Sequence, residues 1–193
     1  MSEKKILLIL IGIIVVSLGG GMFLYYLLVN NADLSSVSMG ASTESSVDQT
    51  GEETYELPDF TVYDREGNAV KLSEFAGKPI VLNFWASWCG PCKSEMPFFD
   101  DAYRKYGDKV QFLMVNVTDG DQETLESALD YVDSVVYGFP VYYDTDLDAA
   151  AVFGVTSLPT TYFFDASGAP VAYAKTTMNK DSLKKGIEMI IAE

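Results

Sequence analysis

The chain has 193 residues, of which 48% are hydrophobic, and a formal net charge of −15 at pH 7. This is enough for one domain with an appendage, and the acidic balance argues against nucleic acid, which is bound through clustered Lys and Arg. The chain has no histidine and two cysteines, which excludes Ser-His and Cys-His nucleophile pairs and leaves too few ligands for a structural zinc site, so we expect no metal.

The N-terminal region contains an uncharged apolar run at residues 6–29. This is longer than the roughly 20 residues needed to cross a bilayer as a helix. Lys4 and Lys5 precede the run and the next basic residue is Arg65, so the positive-inside rule places residues 1–5 in the cytoplasm. The alternative is a cleaved signal peptide, whose apolar region is typically shorter, about 7–15 residues, and ends in small residues. We favour an uncleaved, single-pass anchor in the cell membrane.

A polar segment follows at residues 30–56, rich in Ser, Thr, Asp and Glu and without a basic residue. Such a composition cannot bury enough apolar surface to fold, and repulsion between like charges extends it. The sequence therefore predicts a disordered acidic linker, followed by a folded extracytoplasmic domain at residues 57–193.

The first half of this domain shows strong local patterns. Residues 60–63 and 69–72 flank a turn-forming cluster and predict a β-hairpin. Residues 80–85 are a continuous apolar run that predicts a buried central strand. A helix is predicted at residues 91–106 and a second buried strand at 110–117.

In the second half, residues 121–137 predict an amphipathic helix with Leu125, Leu129 and Val132 on its inner face. The remaining predicted elements are strands at 141–143, 160–164 and 171–174, a short helix at 147–153 and a closing helix at 181–191. Strands that alternate with helices in this way predict an α/β domain with a central sheet.

The two cysteines, Cys89 and Cys92, lie where the predicted strand 80–85 gives way to the helix. A helix N-terminus favours a thiolate, because its partial positive charge and free N–H groups lower the thiol pKa. Cys89, at the turn, is the predicted nucleophile, and Cys92 is placed to resolve a mixed disulfide. A static staple is a weaker interpretation, because so short a loop constrains little chain. The pair therefore indicates a redox-active disulfide that needs no further cofactor.

The neighbours of the cysteines fit the same interpretation. Pro91 suits the first turn of a helix, where its missing N–H is not needed. Gly90 allows the backbone of a partner to approach, and Trp88 is expected to form a wall beside the cysteines. Trp85 is expected to be a core residue.

Residues 88–92, Trp-Cys-Gly-Pro-Cys, resemble the thioredoxin active site residue for residue. Pro97 fits the proline that kinks the active-site helix of thioredoxins, and residues 156–165 resemble the segment that carries their cis-proline. The resemblance implies that the Leu158–Pro159 peptide is cis and faces Cys89. It also implies that the backbone of Leu158 pairs with an extended client chain.

The wider pattern is similar to the anchored subgroup named after TlpA and ResA. Residues 58–61, residues 77–85 and the insertion between Val117 and Thr160 carry this resemblance. It implies a thioredoxin fold with an N-terminal β-hairpin and a central helix–strand insertion, preceded by one transmembrane helix. Members are usually reductants of exported protein disulfides, such as apocytochrome c, and a membrane protein of the CcdA or DsbD type supplies them with electrons.

Two residues refine the expected mechanism. Asn83 stands where thioredoxins have a buried Asp that accepts a proton, and an amide cannot titrate. Glu95 completes a Cys-x-x-Cys-x-x-Glu pattern that ResA-like proteins share, on the helix face of Cys92. A partly buried carboxylate there could exchange a proton with Cys92. The alternative is a solvated surface glutamate.

Three other functions compete with an exported reductant. Strong disulfide oxidants of this fold tend to carry His between the cysteines, whereas this chain has Gly90 and Pro91 there. A non-catalytic binding module would not need the intact motif. Peroxidases usually place a lone reactive cysteine in a different motif.

Overall fold

The computed structural model describes residues 57–191 and two short strands, β1 (Ser46–Val47) and β2 (Glu53–Thr54). These strands pair antiparallel within the predicted linker. They occupy four residues of the predicted linker, whose disorder stays a prediction. The predicted anchor at 6–29 and the rest of the linker lie outside the described residues. Within the described part of the chain, no helix has both the length and the apolar character needed to cross a membrane.

The domain opens with the predicted hairpin, formed by β3 (Thr61–Tyr63) and β4 (Ala69–Lys71). Its turn is held by the Asp64 side chain, which accepts hydrogen bonds from the backbone N–H groups of Glu66 and Asn68 at 3.0 and 2.8 Å. A short 3-10 helix (Leu72–Phe75) follows the hairpin.

The centre of the domain is the strand β5 (Ile80–Trp85), in which all six residues are buried. It leads into helix α1 (Gly90–Tyr106) and then into β6 (Gln111–Asn116), which pairs parallel to β5. The predicted bounds of these three elements are therefore confirmed to within one residue.

Helix α2 (Leu125–Ser134) is shorter than the predicted helix at 121–137. It begins at Leu125 because the Thr124 side chain caps it, accepting a hydrogen bond from Ser127 N–H at 3.1 Å. Leu125 is 43% exposed at the first turn, and Ala128 is the buried residue of the helix. The prediction that Leu125 lies on the inner face of this helix is thus wrong.

Five further elements complete the domain. They are β7 (Val141–Tyr143), α3 (Asp148–Val152), β8 (Thr160–Phe164), β9 (Pro170–Ala174) and α4 (Lys180–Ile191). The sheet order is β4-β3-β7-β6-β5-β8-β9, with β5, β6 and β7 parallel and β8 antiparallel to β5. The mixed sheet confirms the predicted α/β fold with an N-terminal hairpin and a central helix–strand insertion.

Alternation along β5 sends its side chains to the two faces of the sheet. Leu82 and Phe84 belong to the core on one face, and Val81 and Trp85 belong to the core on the other. The second core also contains the two cysteines. Asn83 lies between Val81 and Trp85 in this alternation, so it points toward the cysteine side.

Candidate active site

Cys89 and Cys92 form a disulfide at the N-terminus of α1, with their Cα atoms 5.3 Å apart. Cys89 is the N-cap residue, and the backbone N–H of Cys92 donates to its Sγ at 3.2 Å. Cys89 is 3% exposed and Cys92 is 0% exposed. The same N–H and the helix N-terminus would stabilise a Cys89 thiolate once the disulfide is reduced.

Three residues around the disulfide, Trp88, Gly90 and Pro91, are exposed and are called the rim here, whereas Trp85 is buried. Trp88 is 47% exposed, and Gly90 and Pro91 are also exposed. Trp85 is 1% exposed and packs in the core, as expected, with its ring 5.6 Å from that of Tyr131. The rim therefore presents one large apolar side chain and two small residues beside Cys89.

The Leu158–Pro159 peptide is cis, which confirms that prediction. Pro159 is buried directly before β8. Leu158 is half-buried and packs against the core cluster that contains both cysteines. The structure therefore brings this loop to the cluster of the disulfide.

Glu95 is 0% exposed, although it lies on a helix that is otherwise half in solvent. Its Oε1 accepts a hydrogen bond from Asn83 Nδ2 at 3.1 Å, and its Oε2 accepts one from Met178 N–H at 2.7 Å. Burial raises the pKa of Glu95 to about 7, while these two hydrogen bonds act in the opposite direction. The surface alternative for Glu95 is therefore wrong, and its burial is more complete than we expected.

Asn83 connects Glu95 to the neighbouring strand. Its Nδ2 also donates to Thr161 Oγ1 on β8 at 2.9 Å. Both Asn83 and Thr161 are 0% exposed. Behind Cys92 the structure thus holds a polar group of three side chains, formed by Asn83, Glu95 and Thr161, within an otherwise apolar core.

A second buried carboxylate, that of Glu123, supports the turn before Cys89. It is 0% exposed and accepts hydrogen bonds from Ser87 N–H at 2.8 Å, Ser87 Oγ at 2.7 Å and Asn116 Nδ2 at 2.7 Å. Sequence reasoning missed Glu123 and placed it on the first turn of a surface helix. No pattern distinguishes it from the exposed acidic residues nearby, because its partners lie on other elements. Within the described residues, no group of three acidic, Cys or His side chains is arranged to hold a metal ion.

Comparison with known proteins agrees with this site. Residues 54–172 match the model of the AhpC/TSA family. The thiol-disulfide oxidoreductase ResA of Bacillus thuringiensis subsp. konkukian is 33% identical over 136 residues, which covers 70% of this chain and 76% of that protein. The chain belongs to the AhpC/TSA family and to the ResA-type thiol–disulfide oxidoreductases.

Solved structures similar to this ResA-type chain support the same fold. The exposed lipoprotein thioredoxin Etrx1 of Streptococcus pneumoniae has a TM-score of 0.60 and 30% identity, over 67% of this chain and 98% of that one. StoA of Bacillus subtilis has a TM-score of 0.60 and 25% identity, over 68% of this chain and 98% of that one. The fold is thioredoxin-like, and the protein is an enzyme of thiol–disulfide exchange.

Proposed function

We propose that this ResA-type enzyme reduces disulfides of exported proteins outside the cytoplasm, held to the cell membrane by residues 6–29. The surroundings of the disulfide support reduction of the client as the direction of electron transfer. Strong oxidants of this kind owe their potential to a stabilised reduced form. Among the described residues, Cys89 Sγ receives one hydrogen bond, from Cys92 N–H, and the acid buried behind the pair is Glu95. A negative charge on Glu95 would repel a nearby thiolate, so the reduced form of the enzyme is less stabilised. This favours an enzyme that gives up electrons, which is a reductant.

The reaction begins with the reduced enzyme. The Cys89 thiolate attacks one sulfur of the client disulfide, so that a mixed disulfide forms and a client thiolate leaves. The Cys92 thiolate then attacks Cys89 Sγ, which releases the second client thiolate and closes the Cys89–Cys92 disulfide. Two electrons pass from the enzyme to the client, and no further cofactor is needed because both carriers are sulfur atoms.

Glu95 is the group that accepts the proton of Cys92. It lies one helical turn after Cys92 on the same face of α1, away from bulk water. A pKa of about 7 suits proton exchange near neutral pH, where both forms of the carboxyl group are populated.

The exposed rim is the surface for the client. Trp88, Gly90 and Pro91 surround Cys89 on the solvent side, and the Leu158–Pro159 loop packs against the same core cluster. An extended client chain can lie along this surface and pair with the backbone of Leu158. Apocytochrome c is the client to test first.

The oxidised enzyme has to be reduced again across the membrane. Outside the cytoplasm no glutathione pool maintains thiols, and both cysteines of the chain lie in the domain at residues 57–193. A membrane dithiol protein of the CcdA or DsbD type would supply the electrons. The predicted anchor and acidic linker support this proposal, because tethering raises the effective concentration of the domain near such a partner. The similarity to a protein described as an exposed lipoprotein is consistent with it.

The equilibrium reduction potential of the full-length chain tests the direction. A reductant should have a potential near that of thioredoxin, about −270 mV, whereas a value near that of DsbA, about −120 mV, would make the enzyme an oxidant. In cells, Cys89 and Cys92 should be mostly reduced and should become oxidised when the membrane carrier is deleted. A pool that is fully oxidised in wild-type cells would contradict the proposal.

Insulin reduction tests the non-catalytic alternative. The wild-type chain should catalyse it, and a Cys89→Ser, Cys92→Ser double variant provides the background rate. Equal rates for the two proteins would favour a binding module.

A further inference from the structure

The buried amide of Asn83 has partners for its nitrogen but not for its oxygen. Nδ2 donates to Glu95 Oε1 and Thr161 Oγ1, and Oδ1 has no hydrogen-bond partner among the described residues. The side chain is 0% exposed. Buried polar atoms nearly always have a partner, and here no hydrogen bond to Oδ1 from the described residues fixes the direction in which the amide faces.

The other end of the amide faces Glu95, whose hydrogen-bonding groups differ between its two protonation states. As a carboxylate it has acceptors alone, and it is satisfied by the N–H side of the Asn83 amide. As a carboxylic acid it gains an O–H donor, which finds no acceptor in Asn83 while Nδ2 faces it. The Thr161 hydroxyl can either accept or donate. Both neighbours of Asn83 can therefore change from acceptor to donor.

We propose that Asn83 is a positioning residue that turns its side-chain amide by half a rotation when Glu95 gains or loses a proton. When Glu95 is ionised, the amide nitrogen donates one hydrogen bond to the carboxylate and one to the Thr161 hydroxyl. When Glu95 is protonated, the amide oxygen accepts one hydrogen bond from the carboxylic acid and one from the same hydroxyl. Its number of bonds to these neighbours is the same in both states. The inference rests on the proposed function, because it explains how the proton acceptor of that reaction is held in each of its states.

An amide fits this position better than the residues that could replace it. An aspartate at residue 83 would place a second carboxylate 3.1 Å from Glu95, and like charges at that distance cannot both ionise readily. A leucine of similar size would give no partner to either state of Glu95. Asn83 is thus suited to a neighbour that changes its protonation.

The groups around the Asn83–Glu95 pair come from four parts of the fold. They are Asn83 on β5, Thr161 on β8, the Met178 N–H before α4, and Cys92 one turn earlier on α1. The pKa of Glu95 is raised by burial and lowered by the bonds from Met178 and Asn83, and no charged side chain of the described residues contributes. In the oxidised protein the cysteines do not titrate. Glu95 is then the titrating group beside Asn83.

Nuclear magnetic resonance of the oxidised full-length chain in mild detergent can detect the rotation. With asparagine labelled with ¹⁵N, cross-relaxation from the Asn83 amide protons to the Thr161 side chain should be observed above the midpoint of the Glu95 titration. It should be lost below that midpoint, following the ¹³C shift of the Glu95 carboxyl carbon. Persistence of the Thr161 contact at low pH, while Glu95 titrates, would overturn the proposal.

A Glu95→Gln variant gives a second, independent measurement. Its side-chain amide is neutral and can donate to Asn83 Oδ1 while its oxygen accepts from Met178 N–H, so Asn83 should keep the low-pH orientation at every pH. An Asn83–Thr161 contact that is unchanged from the high-pH wild type would contradict the proposal.

Asn116 is the matched control in this variant. Its amide donates to another buried carboxylate, that of Glu123, at 2.7 Å and should keep its contacts. If the variant does not fold, the wild-type titration decides alone. None of these measurements depends on catalysis, so loss of the proposed reductase activity would be recognised separately.

Discussion

Glu95 Oε2 accepts a hydrogen bond from the backbone N–H of Met178 at 2.7 Å, across 83 positions of sequence. Met178 is 7% exposed and lies just before α4. One buried carboxylate therefore connects the helix that carries the cysteines to the segment that leads into the last helix. The charge of Glu95 should affect folding stability and, under the proposed function, catalysis as well.

The first prediction concerns the stability of the oxidised protein. Burial raises the pKa of Glu95 from 4.5 to about 7 in the folded state. Between these values the folded state holds a proton that the unfolded state has lost, so the free energy of unfolding falls as the pH rises. The loss should be about 3 kcal/mol between pH 4.5 and about 7, because one pKa unit corresponds to about 1.4 kcal/mol.

Chemical denaturation of the wild type and of Glu95→Gln across this range tests that prediction. The variant should lack the fall, and the difference between the two proteins cancels the contributions of the other acidic residues. Parallel curves for the two proteins would show that Glu95 titrates normally in the fold.

The second prediction concerns the packing of α4 on the sheet. A Cβ atom added at Gly186 would lie 2.5 Å from the ring of Phe163. Gly186→Ala should therefore lower the free energy of unfolding by up to about 2 kcal/mol, because overpacking costs about 1–3 kcal/mol and the gain in helix propensity offsets about 1 kcal/mol of it. In a Phe163→Leu background the same change should be neutral or stabilising. Equal effects in the two backgrounds would mean that the clash is absent.

The third prediction concerns the support of the active-site turn by Glu123. Ser87→Ala removes one of its three hydrogen bonds and should cost about 1 kcal/mol of unfolding free energy. Glu123→Gln should cost more, about 2–3 kcal/mol, because hydrogen bonds to a charged carboxylate become bonds to a neutral amide, with the Ser87 hydroxyl reversed to accept from the new N–H. Ser182→Ala, at an exposed serine of α4, is the control and should stay within about 0.5 kcal/mol of the wild type. A loss of unfolding free energy in Ser87→Ala that is no larger than in the control would contradict the role of Glu123 in supporting the turn.

The features that the sequence predicts correctly are local, and those it misses depend on contacts between distant residues. The strand 80–85 and the cysteine motif are local patterns, and the structure places them as predicted. The exposed position of Leu125 depends on where a capping residue starts the helix, which periodicity does not fix. The burial of Glu95 and Glu123 comes from partners on distant elements, so their surroundings could not be predicted from neighbouring residues.

The fourth prediction concerns the pH dependence of reduction. In the proposed mechanism the Glu95 carboxylate accepts the proton of Cys92, so turnover in insulin reduction should rise with an inflection near pH 7 as Glu95 ionises. Glu95→Gln should lose this inflection and fall on the order of 10²-fold above it, the usual contribution of a general base. Glu126→Gln, at an exposed glutamate of α2, is the control and should match the wild type. An unchanged pH profile in Glu95→Gln would remove Glu95 from the mechanism.

The last prediction separates the roles of the two cysteines. Cys89 is the N-cap residue, 3% exposed and flanked by the exposed Trp88 and Gly90, whereas Cys92 is 0% exposed, so a client disulfide should be attacked by Cys89. Cys92→Ser removes the resolving thiol, and the variant should accumulate mixed disulfides between Cys89 and a disulfide-containing apocytochrome c peptide. Non-reducing electrophoresis with mass spectrometry of the linked peptides identifies the sulfur involved. Cys89→Ser should form few such adducts under the same conditions. Adducts that require Cys92 and survive the loss of Cys89 would reverse the assignment.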